Sequence, residues 1–370
     1  MLVIGLLLKG PPSPFLSAHR FKVNVIKSFF LNILLMLASA TMFLLVVEGG
    51  VRVSQAVGLL PVLDGRSVSL QGPSLEEHNS KLLMSDNPNL VLEYDVSDPK
   101  INQFGMRDHP YELVASEGVR RIAAIGDSVT FGLGVALENT YSKKLEWALN
   151  REATERHGFQ VMNFGISGYS TETELELFKL KARPFKPDVV VVGYVMNDPI
   201  HTSAVLDAIA ASMEYESDFG KLAKVSQVMA WVKLTWANVM MGIDGMSVYE
   251  PLYAVEGEPW ANVVESLMSF KQLSQEDDFQ LVVVVFPLLY DFNNYPLEQY
   301  HEQVLRLLID LDIDHIDLLP PYSEFGADEF RILESDTWHP NDLGHKIAAE
   351  KLQAYLEGTG VLADKTEVVE

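Results

Sequence analysis

Residues 120–135 read RRIAAIGDSVTFGLGV. A short apolar run ends abruptly in Gly126-Asp127-Ser128. A buried strand that stops in glycine and small polar residues predicts a turn at a sheet edge. The same rhythm recurs downstream. Apolar runs of strand character lie at Arg121–Ile125, Gln160–Phe164, Asp188–Val195, Leu281–Pro287 and His315–Leu319. Helical stretches separate them, at 140–156, 171–182, within 200–275, at 297–311 and finally at 342–357. Strands alternating with helices predict an α/β domain with a parallel sheet covered on both faces. DVVVVGYV and LVVVVFPL are apolar on both alternating faces, as central strands should be. No repeat of 20–50 residues interrupts the pattern.

In an open parallel sheet, ligands bind beyond the carboxyl ends of the strands. The loop after the first strand carries Gly126-Asp127-Ser128, and that after the second carries NFGISGYST, Asn163 to Thr171. The loop after the third carries Asn197-Asp198, and that after the fifth carries DTWHP, Asp336 to Pro340. These four polar loops are expected at one edge, which is the geometry a serine nucleophile needs. A serine hydroxyl attacks only when a base takes its proton, usually a histidine that a carboxylate orients.

Of the nine histidines, four stand three residues after an aspartate: His201, His315, His339 and His345. His315 opens the fifth strand at the wrong end of the sheet, and His345 lies inside the last helix, where Asp342 reads as a first-turn acid beside Asn341. His201 sits on the correct edge, beyond Pro199, at the start of a segment leading away. Asp336/His339 falls in the last loop, within one turn, before the stiffening Pro340. Acyl transfer also needs donors for an oxyanion. The candidates are the Gly168 N–H, the Asn197 side-chain amide and the Ser128 N–H. Asp127 reads as a brace for its own loop. Gly168 also suits a turn with positive φ, and Asn197-Asp198-Pro199 also suits a helix cap.

Outside the sheet, the chain is acidic, with 51 Asp and Glu against 28 Lys and Arg and a formal charge of −23. That charge argues against nucleic acid as a partner. The absence of cysteine excludes disulfides, thiolate metal sites and a cysteine nucleophile. Ser28 to Val47 reads SFFLNILLMLASATMFLLVV, without a charge. As a helix it would span ~30 Å, the thickness of a hydrocarbon core. Lys9, Arg20, Lys22 and Lys27 precede it and Glu48 follows, so the positive-inside rule predicts a cytoplasmic N-terminus and an extracytoplasmic remainder. Ala38-Ser39-Ala40 resembles a cleavage site, but the apolar run continues past it, which favours a retained anchor. The expected organisation is a cytoplasmic segment 1–27, an anchor 28–47, a linker and lead-in 48–117, a domain 118–358 and an acidic tail 359–370. An insertion at about 200–260 holds Met229, Trp231, Trp236, Met240 and Met241, which suit either core packing or an adaptable apolar wall.

Taken together, GDS at 126–128, NFGISG at 163–168, Asn197-Asp198 and DTWHP at 336–340 resemble the blocks of the GDSL or SGNH hydrolase family, in that family's order. The resemblance covers about Arg120 to Tyr355. It implies a three-layer α/β/α domain with a flavodoxin-like five-stranded parallel sheet. It assigns Ser128 as nucleophile, His339 rather than His201 as base, and Asp336 as orienting acid, with Ser128, Gly168 and Asn197 forming the oxyanion hole. It implies no metal and no organic cofactor. Val129 stands where leucine is usual, and Val195 where a glycine is frequent. The lead-in INQFGMRDHPYEL resembles that of envelope-anchored bacterial members. The expectation is a single-pass inner-membrane esterase facing the periplasm and acting on an acylated glycan or lipid. An O-acyltransferase for envelope polysaccharide and a non-catalytic assembly factor are the alternatives.

Overall fold

The computed structural model describes residues 35–36, 39, 41–43, 45–54, 82–85, 90, 92–151, 158–202, 226, 249–334 and 336–360. The chain divides into two compact units, Met1–Gly65 with Phe219–Lys233, and Arg66–Asp218 with Leu234–Glu370. The sheet and the candidate site belong wholly to the second. Most of the expected anchor at 28–47 lies outside the described residues, as do the segment 1–27 and the tail from 361 onward. No helix among the described residues is long and apolar enough to cross a membrane. Met229, Trp231, Trp236, Met240 and Met241 of the insertion also lie outside the described residues.

A two-stranded antiparallel hairpin comes first, β1 (Leu82–Met84) with β2 (Leu92–Tyr94), Leu82 opposite Tyr94. It lies where the sequence predicts a linker running into an irregular lead-in. Strands of three residues are too short to display a period, so nothing local announces them. The main sheet follows, with β3 (Val119–Gly126), β4 (Gly158–Gly165), β5 (Val189–Val195), β6 (Gln280–Phe286) and β7 (Asp314–Asp317). All pairings are parallel and the order is β4-β3-β5-β6-β7. Every residue of β5 is buried. The VVVV runs are therefore central strands, as their two-faced hydrophobicity predicts.

The intervening helices are α1 (Ser128–Phe131), α2 (Tyr141–Arg151), α3 (Thr171–Leu177), α4 (Glu258–Asp277), α5 (Glu298–Asp310) and α6 (Asp342–Thr359). The helix expected at 171–182 ends as an α-helix at Leu177 and continues as a π turn over Phe178–Ala182. The strand order steps one way from β3 to β4 and the other way thereafter. Right-handed crossovers then put α2 on one face and α3, α4 and α5 on the other. Helix α6 packs on α2, and α3 packs on α4, which completes two helical layers. The reversal of direction falls between β3 and β5, where a crevice opens beyond their carboxyl ends. Ser128 follows β3 and Asn197 follows β5, so both stand at that switch point.

Candidate active site

Three glycines build the floor of the site. Gly126, Gly165 and Gly193 are register partners on β3, β4 and β5. A Cβ on Gly165 would come within 2.1 Å of the Phe131 N, and one on Gly126 or Gly193 within 2.1 or 2.5 Å of Thr130 Oγ1. Only a side-chain-free row lets the short helix α1 rest directly on the strand ends. From below, Asn163 Nδ2 donates to the Thr130 carbonyl (2.8 Å), while its Oδ1 accepts from the Gly165 N–H (2.9 Å).

The lead-in clamps the same turn from outside. The buried Arg107 donates through Nη1 to the carbonyls of Phe131 (3.0 Å) and Gly132 (2.7 Å), and through Nη2 to that of Val135 (2.6 Å). It thereby satisfies the carbonyls that end α1, where a one-turn helix has none of its own donors to offer. Its neighbour Asp108 pairs with the buried Lys143 (2.7 Å) and accepts from the Asn163 N–H (2.8 Å). Tyr94 of the hairpin stacks on Phe131 (centroids 4.5 Å apart), and its hydroxyl meets Ser167 Oγ (2.9 Å) and accepts from the Ser167 N–H (3.0 Å). These contacts were not read from the sequence. The only available signal was the quoted segment INQFGMRDHPYEL, and nothing in its spacing tells which carbonyls Arg107 will reach.

Ser128 opens α1, with Asp127 as N-cap. Asp127 Oδ1 accepts from the Val129 N–H (2.8 Å) and Oδ2 accepts from Asn197 Nδ2 (3.1 Å). Burial raises the Asp127 pKa, and these donors, with the nearby His339 charge, only partly offset that. The brace role expected of Asp127 is what its contacts describe, and it extends to the loop after β5. An amide nitrogen carries two N–H groups. With one engaged by Asp127, Asn197 keeps the second for another acceptor.

His339 Nε2 lies 2.9 Å from Ser128 Oγ, and His339 Nδ1 lies 2.9 Å from Asp336 Oδ2 and 3.2 Å from Oδ1. A carboxylate only accepts, so Nδ1 carries the ring proton and the Nε2 lone pair faces the serine hydroxyl. Asp336 Oδ1 also accepts from the N–H groups of Trp338 (2.9 Å) and His339 (3.1 Å). Burial alone would raise the Asp336 pKa. The His339 hydrogen bond and charge, with these two N–H groups, outweigh it and hold the carboxyl below its ordinary range. The loop does not follow β7 directly, as the sequence suggested. A helical turn at Leu319–Tyr322 and a further turn at Ala327–Glu329 intervene, and the Thr337 carbonyl accepts from the Leu289 N–H (2.8 Å) of the loop after β6.

Gly168 lies in the loop after β4 with φ +83, a left-handed conformation that favours glycine. The loop is tied to the end of β3 by the Ile166 N–H donating to the Gly126 carbonyl (3.0 Å), and to the hairpin through Ser167. The other histidines are elsewhere. His201 Nε2 lies 3.4 Å from Glu172 Oε2, on the surface. His315 Nδ1 meets the Ile313 carbonyl at the start of β7 (3.1 Å). His345 Nδ1 accepts from the Tyr141 N–H (3.2 Å). Among the described residues, no group of three or more His, Cys, Asp or Glu could hold a metal ion.

A sequence profile of the GDSL-like Lipase/Acylhydrolase family matches residues 124–347. No curated protein sequence matches the chain. Among solved structures, an acetyl xylan esterase, AlAXEase, is similar at 16% identity and TM-score 0.41, over 64% of this chain and 99% of its own. The lipase/acylhydrolase from Enterococcus faecalis is similar at 15% and 0.40, over 65% and 96%. TesA is similar at 14% and 0.42, over 65% and 99%.

Proposed function

The chain belongs to the GDSL-like lipase/acylhydrolase family, whose profile spans well over half of it, and is a serine hydrolase acting on esters; from that premise we propose that it deacylates an acylated carbohydrate of the cell surface. Ser128 Oγ attacks the ester carbonyl as its proton passes to His339 Nε2. Asp336 holds Nδ1–H and stabilises the imidazolium. The oxyanion accepts from the free N–H of Asn197 and the backbone N–H groups of Gly168 and Ser128. The intermediate collapses, His339 returns the proton to the departing alcohol, and an acyl-Ser128 ester remains. Water, deprotonated by His339, then releases the acid and restores the serine. The observation that carries this reading is the unbroken line from Asp336 through His339 to Ser128 Oγ, each step 2.9 Å.

The carbohydrate rests on Trp338, between the two triad members of its loop. Trp338 is 36% exposed; Trp260 is buried, and the more exposed Trp147 lies on α2, outside the triad loop. An indole left open beside a base offers a flat π face to the C–H face of a sugar ring. The uncharged run Ser28–Val47, with basic residues before it, supports a retained anchor and a periplasmic domain.

Purified protein should hydrolyse p-nitrophenyl acetate and label at Ser128 with a fluorophosphonate. Failure of both, or survival of hydrolysis in Ser128→Ala, removes the mechanism. Trp338→Ala should raise KM for an acetylated oligosaccharide by about fivefold, the order of a lost aromatic contact, and leave p-nitrophenyl acetate nearly unaffected. An equal effect on both substrates removes the carbohydrate. A reporter fused after residue 370 and found in the cytoplasm removes the periplasmic placement.

A further inference from the structure

Two carboxyls beside the oxyanion donors take no part in the mechanism above. Glu174 lies on α3, which opens directly after the glycine loop, and Asp198 follows Asn197. Both side chains belong to residues with no exposed surface. Neither oxygen of Glu174 has a hydrogen-bond partner, nor does Asp198 Oδ1, while Asp198 Oδ2 accepts from the distant Thr171 hydroxyl (3.4 Å) and the Val195 backbone N–H lies near the carboxyl. Among the described residues, no lysine or arginine pairs with either. The buried side chains of α4, which packs on α3, include no ionisable group. The titratable groups around the pair are Asp127, Tyr141, Tyr194 and Tyr253, with Glu172 and His201 lining a small cavity beside Asp198. Of these only His201 can carry positive charge, and its Nε2 faces Glu172 Oε2 (3.4 Å).

Two ionised carboxylates cannot share such a place. Stripping water from a charge without replacing it by donors strongly disfavours that charge, and a like charge alongside adds to the penalty. Burial drives both carboxyls well above the ordinary carboxylate range. Asp127 pushes Glu174 further, and Glu174 and Asp127 push Asp198 further.

We infer that Glu174 and Asp198 hold one proton between them, so that the pair carries one negative charge instead of two, and that Glu174 is thereby a positioning residue for the oxyanion donor Asn197. The role rests on the hydrolase reading; the proton does not. The reaction creates a negative oxygen at the Asn197 amide, the residue before Asp198. A second fixed charge behind it would oppose the transition state and draw the amide N–H groups toward the wrong acceptor. The shared proton removes that charge where solvent cannot screen it.

Infrared difference spectroscopy on the full chain, with Glu174→Gln as reference, reads the proton directly. The C=O stretch of a protonated carboxylic acid should persist at neutral pH in the wild type and vanish in the variant. A wild type without that band at neutral pH overturns the inference, whether or not the variant folds. Glu174→Gln keeps the charge of the singly protonated pair, so its kcat at neutral pH should stay within about threefold, well under the tenfold of one pKa unit of interaction. Wild-type kcat should fall about tenfold toward alkaline pH as the proton leaves, and the variant should not follow. Superimposed pH profiles, or a folded variant with a large kcat loss at neutral pH, overturn the role. A wild type that shows the band but neither hydrolyses esters nor labels at Ser128 overturns the hydrolase reading and the role, and leaves the proton assignment standing.

Discussion

His339 and His345 stand six residues apart, and each follows an aspartate by three. Both are buried, at 7% and 0% exposure. The loop 336–340 and the first turn of α6 put the same pattern to opposite use. In the loop, Asp336 turns back onto His339 and fixes its ring proton, leaving Nε2 against Ser128. In the helix, Asn341 takes the cap by accepting from the Leu343 N–H, and Asp342 faces outward to Lys144 (2.7 Å). His345 turns inward instead and stacks on Tyr141 (centroids 6.1 Å apart). A helical i, i+3 pair meets on one face only when both rotamers permit it, and here the cap and the core pull the two side chains apart. The motif therefore carries no chemistry of its own. The partner waiting at each ring nitrogen decides.

The sharpest way to break the comparison is to remove each ring. His339→Ala should lower kcat by about 10⁴- to 10⁶-fold, as the loss of a triad base does, whereas His345→Gln should leave kcat within about twofold. Steady-state hydrolysis of a p-nitrophenyl ester checks both. If the two variants lose activity equally, the distinction between them fails. Next in size is Asp336→Asn, which should cut kcat by about 10²- to 10⁴-fold, with KM nearly unchanged, because the amide no longer fixes the tautomer. Asp336 also supports stability. Its folded pKa is depressed below 3.8, so that support is full above the ordinary carboxylate range and is lost as pH falls through the folded value.

The third test uses pH alone. Burial, with the Lys144 and Arg107 charges, lowers the His345 pKa from 6.5 to about 3. Between those values the unfolded chain takes up a proton that the folded chain refuses. Stability is therefore full above 6.5 and drains as pH falls toward about 3, by on the order of a few kcal/mol. Urea titrations at several pH values should show this slope in the wild type and a reduced slope in His345→Gln. Identical slopes would mean that His345 is protonated in the fold. The smallest effect belongs to Asp342→Asn. Its carboxylate is 58% exposed and its pair with Lys144 lies at the surface, so the change in unfolding free energy should stay within about 1 kcal/mol. A larger shift in the denaturation midpoint would mean that Asp342 does more than close a surface pair.

Much of this was legible along the chain. The strands at 119–126, 158–165, 189–195 and 280–286 announce themselves because burial on both faces demands uninterrupted apolar residues, a demand that a single sequence displays. The four loops could be placed at one edge because parallel strands all end on the same side. The hairpin at 82–94, the reach of Arg107 to three carbonyls of the Ser128 turn and the grip of Tyr94 on Ser167 were not legible. The Arg107 and Tyr94 contacts join residues 24 to 73 positions apart, and the hairpin's strands of three residues each are too short to display a period.

What the sequence determined by itself was the layered α/β architecture, the edge at which chemistry would sit, and Ser128, Asn197 and either Asp336/His339 or Asp198/His201 as residues able to perform it, the family resemblance choosing the former pair. These follow from hydrophobic period, strand direction and side-chain chemistry, which are properties of short stretches. Only the tertiary structure decided that the glycines at 126, 165 and 193 form one floor, that His345 bonds a backbone N–H while His339 faces Ser128, and that Glu174 and Asp198 are buried with unpartnered carboxyl oxygens and, among the described residues, no lysine or arginine paired to either. Each of these depends on which distant groups a side chain meets once water has been removed, and that is fixed by packing and not by neighbours in the chain.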